Sequence, residues 1–218
     1  MGDAALPKQY LRLDGKTVLE WSIAPLLARP ECVGVIVALS HGDARWSQLE
    51  VAQDHRVAAV DGGAQRNDSV RAGLLALNEL DDRDWVLVHD AARPCLSTGE
   101  LETLIETLRE DDVGGLLADP IVDTLKRADS DGRVAQTIGR DGLWRALTPQ
   151  MFRYGVLSRA LNEASRRNAN ITDEAQAVEL LGLQPKLVAG SSDNIKITVP
   201  EDVLRAERIL RAQSVRRP

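Results

Sequence analysis

Two short stretches of this chain set an acid three residues ahead of a fixed cation: Asp90 with Arg93 in His89-Asp90-Ala91-Ala92-Arg93-Pro94, and Asp193 with Lys196 in Asp193-Asn194-Ile195-Lys196. Magnesium keeps several waters and takes one or two carboxylates plus substrate phosphates, so two aspartates of this kind, each beside a cation, point to a metal-nucleotide site. A chain with 33 acidic residues also produces such pairs by chance, and an acidic turn after a buried strand accounts for Asp90 equally well. Nucleophilic chemistry has little support. Cys32 and Cys95 lack metal-ligand spacing and cannot make a disulfide framework. Cys95 has no histidine placed to activate it and reads as packing. His89 reads as structural.

The elements around these residues follow from apolar patterning. Trp85-Val86-Leu87-Val88 has no interleaved polar residue, which predicts a short strand buried on both faces in the middle of a parallel sheet. It ends at Asp90, and Pro94 stops further pairing; ligands of open α/β sheets bind at such strand ends. Upstream, Asp14-Gly15 is a turn before a helix carrying Val18, Leu19, Ile23, Leu26 and Leu27, and residues 33–39 and 57–60 read as strands. Asp61-Gly62-Gly63 then offers glycine backbone freedom before a helix with Val70, Leu74, Leu75 and Leu77 inward. Its free amides suit an anion, while Asn67 or Asp68 as a plain cap is the simpler local reading. Ser97-Thr98-Gly99-Glu100 is a capping box for a helix bearing Leu101, Leu104, Ile105 and Leu108.

Downstream, residues 113–118 read as a strand, and Asp119 to Gln150 as a hairpin-like arm turning at Asp131-Gly132. The arm exposes Leu125, Ile138, Leu143 and Trp144, which predicts cover from a partner subunit. Helices follow from Tyr154 and from Thr172-Asp173, then strands at Leu187-Val188 and Asn194 to Ile197, and a closing helix capped by Thr198-Val199-Pro200-Glu201. The expected architecture is a single α/β domain over 1–218, a doubly wound and mostly parallel sheet with a projecting β-arm at about 119–150.

With 218 residues, 44% hydrophobic and 28% charged, the composition is that of an ordinary globular domain. No apolar run approaches the roughly 18 residues that span a bilayer, and the start lacks signal-peptide features, so a cytoplasmic protein is expected. A net charge of −6 with 3% aromatics argues against nucleic acid as a partner.

Taken in order, Pro7-Lys8-Gln9-Tyr10-Leu11, Asp61-Gly62-Gly63 with Arg66 and Asp68-Ser69-Val70, His89 to Pro94, Asp123 to Arg127, Gly142-Leu143-Trp144 with Leu147-Thr148-Pro149-Gln150, Thr172-Asp173-Glu174 and Asp193 to Lys196 resemble the 2-C-methyl-D-erythritol 4-phosphate cytidylyltransferases of the non-mevalonate isoprenoid pathway. The resemblance runs from Pro7 to about the closing helix. It implies a Rossmann-like nucleotidyltransferase fold, a homodimer built through the arm, CTP as co-substrate and a divalent metal such as Mg2+. Carried over residue by residue, it makes Lys8, Arg140 and Lys196 catalytic. Lys8, Gly63, Ser69, Asp90 and Ala91 become nucleotide contacts, and Asp90 and Asp193 metal ligands. Thr172 and Lys196 lie at the acceptor phosphate, joined by Arg93, Thr124, Arg140 and Thr148 from a second subunit. Ala64 departs from the family, whose members often carry Asp there.

The family also opens with a strand and a glycine-rich loop that cradles the triphosphate. Met1-Gly2 resembles the tail of that loop, so the chain reads as N-terminally incomplete, with an internal start and an inactive product as expectations. Two other functions stay open at this point: a cytidylyltransferase for another polyol phosphate such as ribitol 5-phosphate, and a non-catalytic nucleotide-binding dimer.

Overall fold

The structure, a computed structural model, describes residues 6–77 and 79–215; the Met1-Gly2 reading falls outside them. The hairpin β1 (Arg12–Leu13) and β2 (Lys16–Thr17) turns where Asp14 and Gly15 take φ of 46° and 88°. Thr17 then caps α1 (Val18–Leu27): its hydroxyl accepts from the Glu20 amide at 3.2 Å, and its own amide donates to the Glu20 carboxylate at 2.8 Å. The next elements are β3 (Val35–Leu39), β4 (Val57–Asp61), α2 (Arg66–Leu75), β5 (Trp85–Val88), α3 (Thr98–Leu108) and β6 (Gly114–Pro120). The arm hairpin is β7 (Leu125–Ala128) with β8 (Val134–Ile138). After it come β9 (Trp144–Arg153), α4 (Tyr154–Arg166), α5 (Glu174–Glu179), β10 (Lys186–Ala189) and α6 (Glu201–Val215).

The central sheet has the order β10-β6-β9-β5, while β3 and β4 form a parallel pair of their own. β10 runs parallel to β6, but β9 is antiparallel to both β6 and β5, so the sheet is mixed where a mostly parallel one was expected. The reason is the arm. A hairpin returns the chain from β6 to β9 without the crossover helix that a parallel neighbour needs.

Side-chain alternation on β9 divides the core. Leu147 and Met151 join Leu104 and Leu108 of α3, whereas Phe152 packs with Leu157 and Leu161 of α4 and Val178 of α5. α2 lies against β3, β4 and α4, and α1 against β3 and α3, so helices tie the β3–β4 pair to the central sheet.

Three expectations change. β5 is an edge of its sheet, with Val86 buried and its other residues partly exposed, because its hydrogen-bonded neighbour among the described residues is β9 alone. Asn194 to Ile197 is not a strand: the Ile195 amide bonds back to the Asp193 carbonyl at 2.7 Å and the Ile197 amide bonds the Ala92 carbonyl at 2.8 Å, which pins a loop to the turn after β5. The projecting arm is also shorter than 119–150, since residues 147–150 are buried in the central sheet.

Candidate active site at the end of β5

The turn after β5 is held from several sides. The Asp90 amide donates to the Thr148 hydroxyl at 3.1 Å, and the Arg93 amide to the Asp90 carbonyl at 3.0 Å. Ser22 on α1 donates to the Ala91 carbonyl at 3.2 Å. His89 Nε2 lies 3.2 Å from the Arg93 carbonyl, an acceptor, so Nε2 carries the proton and Nδ1 accepts from the Thr148 hydroxyl at 2.8 Å. Burial pushes the His89 ring down to about 4, keeping it neutral in that role. His89 is therefore a strut, as its sequence context indicated.

Three cations of the same chain converge on the Asp90 carboxylate. Lys196 Nζ lies 2.9 Å and Arg93 Nε 3.3 Å from Oδ2, and Arg66 Nε lies 3.3 Å from Oδ1. Burial alone would raise the Asp90 carboxyl, but Lys196, Arg66 and Arg93 outweigh it and hold the group at about 2. Arg93 also donates to the Asn194 carbonyl at 2.7 Å, and the Asn194 side chain donates to the Thr148 carbonyl at 2.9 Å. The 193–196 loop is thereby stitched to the β5 turn. Asp193 itself is exposed, its amide bonded to the Ser191 hydroxyl at 3.1 Å.

The second cluster opens α2. The Gly63 amide donates to Ser69 Oγ at 3.1 Å, so these two predicted nucleotide contacts are neighbours. Their glycines serve a different need from the one expected. Neither has a positive φ, but a Cβ on Gly63 would stand 2.1 Å from the Asp68 Cβ and one on Gly62 2.8 Å from Ser69 Oγ. The requirement is close approach of strand end to helix start.

Within one chain Asp90, Ala91, Arg93, Thr148 and Lys196 gather in one region, and Gly63 with Ser69 in another; sequence reading did not group the first five in a single subunit. It sent Arg93 and Thr148 toward a second subunit, whereas both are committed within their own chain, Arg93 to Asp90 and Asn194, and Thr148, 4% exposed, to His89 and Asp90. Lys8, Thr124 and Thr172 are exposed, Thr172 bonding Gln176 on α5. Arg140 reaches the Val122 carbonyl within the arm. Cys95 is buried, its thiol pushed up to about 12 by that burial, which suits packing and not reactivity.

Two participants received no role from the sequence. Arg66 bridges Asp90 to Glu174, 108 residues further on, and Gln150 bridges Asp173 at 3.0 Å and the Ala175 amide at 2.8 Å. No local spacing could have joined groups so distant in the chain. Among the described residues no group of three or more His, Cys, Asp or Glu could cage a metal. Asp90 and Asp193, the two acids expected to hold a metal, sit respectively on the turn after β5 and on the loop stitched to that turn.

A family profile described as 2-C-methyl-D-erythritol 4-phosphate cytidylyltransferase matches residues 2–212. The protein of that name from Pseudomonas paraeruginosa is 54% identical over 204 residues, covering 93% of this chain and 87% of the relative. A solved structure of the Francisella tularensis 2-C-methyl-D-erythritol 4-phosphate cytidylyltransferase superimposes with a TM-score of 0.85 at 34% identity, covering 95% of each chain. Another, of a 4-diphosphocytidyl-2C-methyl-D-erythritol synthase, gives 0.84 at 40% identity over 93% of this chain and 94% of that one. These neighbours share the Rossmann-like nucleotidyltransferase fold, and beside such matches the expectation of an inactive chain is not borne out. With the profile spanning nearly the whole sequence and more than half of the aligned positions identical in a relative, this chain belongs to the 2-C-methyl-D-erythritol 4-phosphate cytidylyltransferase family.

Proposed function

We infer that the protein transfers CMP from CTP to 2-C-methyl-D-erythritol 4-phosphate and releases pyrophosphate, a step in non-mevalonate isoprenoid precursor synthesis. The observation that carries the mechanism is the Asp90 carboxylate surrounded by Lys196, Arg93 and Arg66 at a strand end. The acceptor phosphate monoester has its second pKa near 6, so at neutral pH its oxygen is already an anion and needs no general base. That oxygen attacks the α-phosphorus in line. One P–O bond forms, the bond to the β-bridging oxygen breaks, and pyrophosphate leaves with the electron pair.

The barrier is the approach of one polyanion to another, and cations fixed beforehand lower it most. Lys196 and Arg93 can exchange Asp90 for phosphate oxygens when substrates enter, while the Gly63 amide and Ser69 present the nucleotide side. Lys8 neutralises the triphosphate and Thr172 receives the acceptor phosphate. A divalent metal held by Asp90 and Asp193 would supply further neutralisation of phosphate charge.

We read the functional unit as a homodimer joined through the arm, with Thr124 and Arg140 of one copy serving the acceptor side of the other. Val122 (71% exposed), Val134 (65%), Leu143 (37%) and Trp144 (38%) support this, because the hairpin and the segments that join it to β6 and β9 leave apolar surface to cover. The enzyme is expected to work in the cytoplasm, since both substrates are too highly charged to cross a bilayer; among the described residues no helix is long and apolar enough to span one.

The direct test incubates the protein with CTP, Mg2+ and the acceptor and follows pyrophosphate release with mass analysis of the product. Methylerythritol phosphate should yield its cytidine diphosphate adduct, and ribitol 5-phosphate should react far more slowly. Equal or better turnover of ribitol 5-phosphate would overturn the acceptor assignment, and failure with both would overturn the activity.

A further inference from the structure

Arg66 occupies an unfavourable place for a cation. It is the first residue of α2, where the helix dipole presents positive charge and free amides. Its position is set instead by two carboxylates brought from elsewhere in the fold. The guanidinium is used along two edges. Nη1 and Nη2 donate to the two oxygens of Glu174, Nη2 at 3.0 Å, while Nε and Nη2 face Asp90 Oδ1, each at 3.3 Å.

Glu174 is the first residue of α5, 0% exposed, and Arg66 is its side-chain partner. A buried carboxylate is costly unless paired, so Glu174 cannot release Arg66 without being left uncompensated. Burial pushes the Glu174 carboxyl up and Arg66 opposes that rise. Arg66, which burial alone would push down, is held above its ordinary value by Glu174 and Asp90. Lysine could not replace this arrangement, because an ammonium has no pair of planar edges to give to two carboxylates at once.

We propose that Glu174 is a positioning residue for CMP transfer, acting through Arg66 to fix the orientation of the Asp90 carboxylate. The inference rests on the proposed activity and adds to it a buried support that comes from α5. With Glu174 in place, Arg66 is fixed along one edge and offers Asp90 the other. Oδ1 then has a fixed partner, and Oδ2 stays directed at Lys196 and Arg93. Without Glu174 the guanidinium is free to turn toward solvent, and the carboxylate that organises the site loses one of its three partners.

The test uses the full chain with E174Q, R66K, R66Q and the R66Q/E174Q pair. E174Q keeps the side-chain size and removes the charge. It should lower kcat by about tenfold to a hundredfold, the cost of small misplacement at a reacting centre, with KM for CTP changed less than about threefold. The double variant should be no slower than R66Q alone. The Arg66 Nε–H correlation in NMR spectra should be sharp and slowly exchanging in the wild type and broadened or lost in E174Q. An E174Q kcat within about twofold of wild type, a full additional loss of rate on top of R66Q, or an unaltered Nε–H signal would overturn the proposal. Should E174Q fail to fold, R66K carries the kinetic test: a similar fall in kcat is expected, and wild-type kcat overturns it. A wild type that makes no product counts against the activity and leaves the Nε–H comparison to decide the role of Glu174.

Discussion

His89 and Asp90 are adjacent in sequence and opposite in their relation to charge. Burial keeps His89 neutral down to about 4, whereas three cations keep Asp90 ionised down to about 2. Both make the fold sensitive to acid. For His89 the unfolded imidazole takes a proton near its ordinary pKa of about 6.5 while the folded one does not, so its contribution is complete above that value and is lost as pH falls toward 4. For Asp90 the loss begins only near the ordinary carboxyl range and runs down toward 2. The His89 contribution is at most about 3 kcal/mol by linkage arithmetic. Melting temperature measured from pH 7 to pH 4 should therefore fall in the wild type and fall less in H89Q, although H89Q starts lower because its bond to Thr148 is altered. Parallel curves would show that His89 is not buried neutral. At this scale the sequence identified the acids and cations and the local Asp90 to Arg93 pair, but not the distant partners: the Asp90 to Lys196 pair spans two segments that only the folded loop brings together.

Among the elements, the junction of β4 with α2 carries the tightest packing near the site. G63A places a methyl group against Asp68 and displaces the amide that Ser69 holds. The expected cost is about 1 to 3 kcal/mol of stability from overpacking, read as a lowered melting temperature, together with weaker CTP binding in calorimetry. Wild-type values for both would show that the junction can relax. Most elements were legible because helical and strand periodicities are local. The capping box at Ser97 and Glu100 is present, with the Ser97 amide 3.1 Å from the Glu100 carboxylate. Topology was less legible. Apolar Trp85 to Val88 reads as a central parallel strand, yet its hydrogen-bonded neighbour is β9, whose direction is set by a hairpin dozens of residues away. Ile195 and Ile197 are buried like strand residues, but their amides serve a loop.

For the whole molecule, the proposed homodimer depends on cover for the arm. If the arm of one copy seats on another, W144A with L143A should lower the dimer fraction in sedimentation velocity at micromolar concentration and reduce kcat/KM for the acceptor more than for CTP. A wild type that is monomeric throughout would remove the role given to Thr124 and Arg140 across subunits. The family resemblance was legible from Pro7 to about the closing helix because its motifs recur in order, even where each is weak alone.

The account depends most on Lys196 as a cation that leaves Asp90 to stabilise charge on the reacting phosphates. Steady-state kinetics of K196Q with CTP and methylerythritol phosphate test this most directly. Losing one fixed transition-state donor should lower kcat on the order of a hundredfold or more while the protein stays folded and CTP still binds. A K196Q enzyme with kcat within about twofold of wild type would contradict the account.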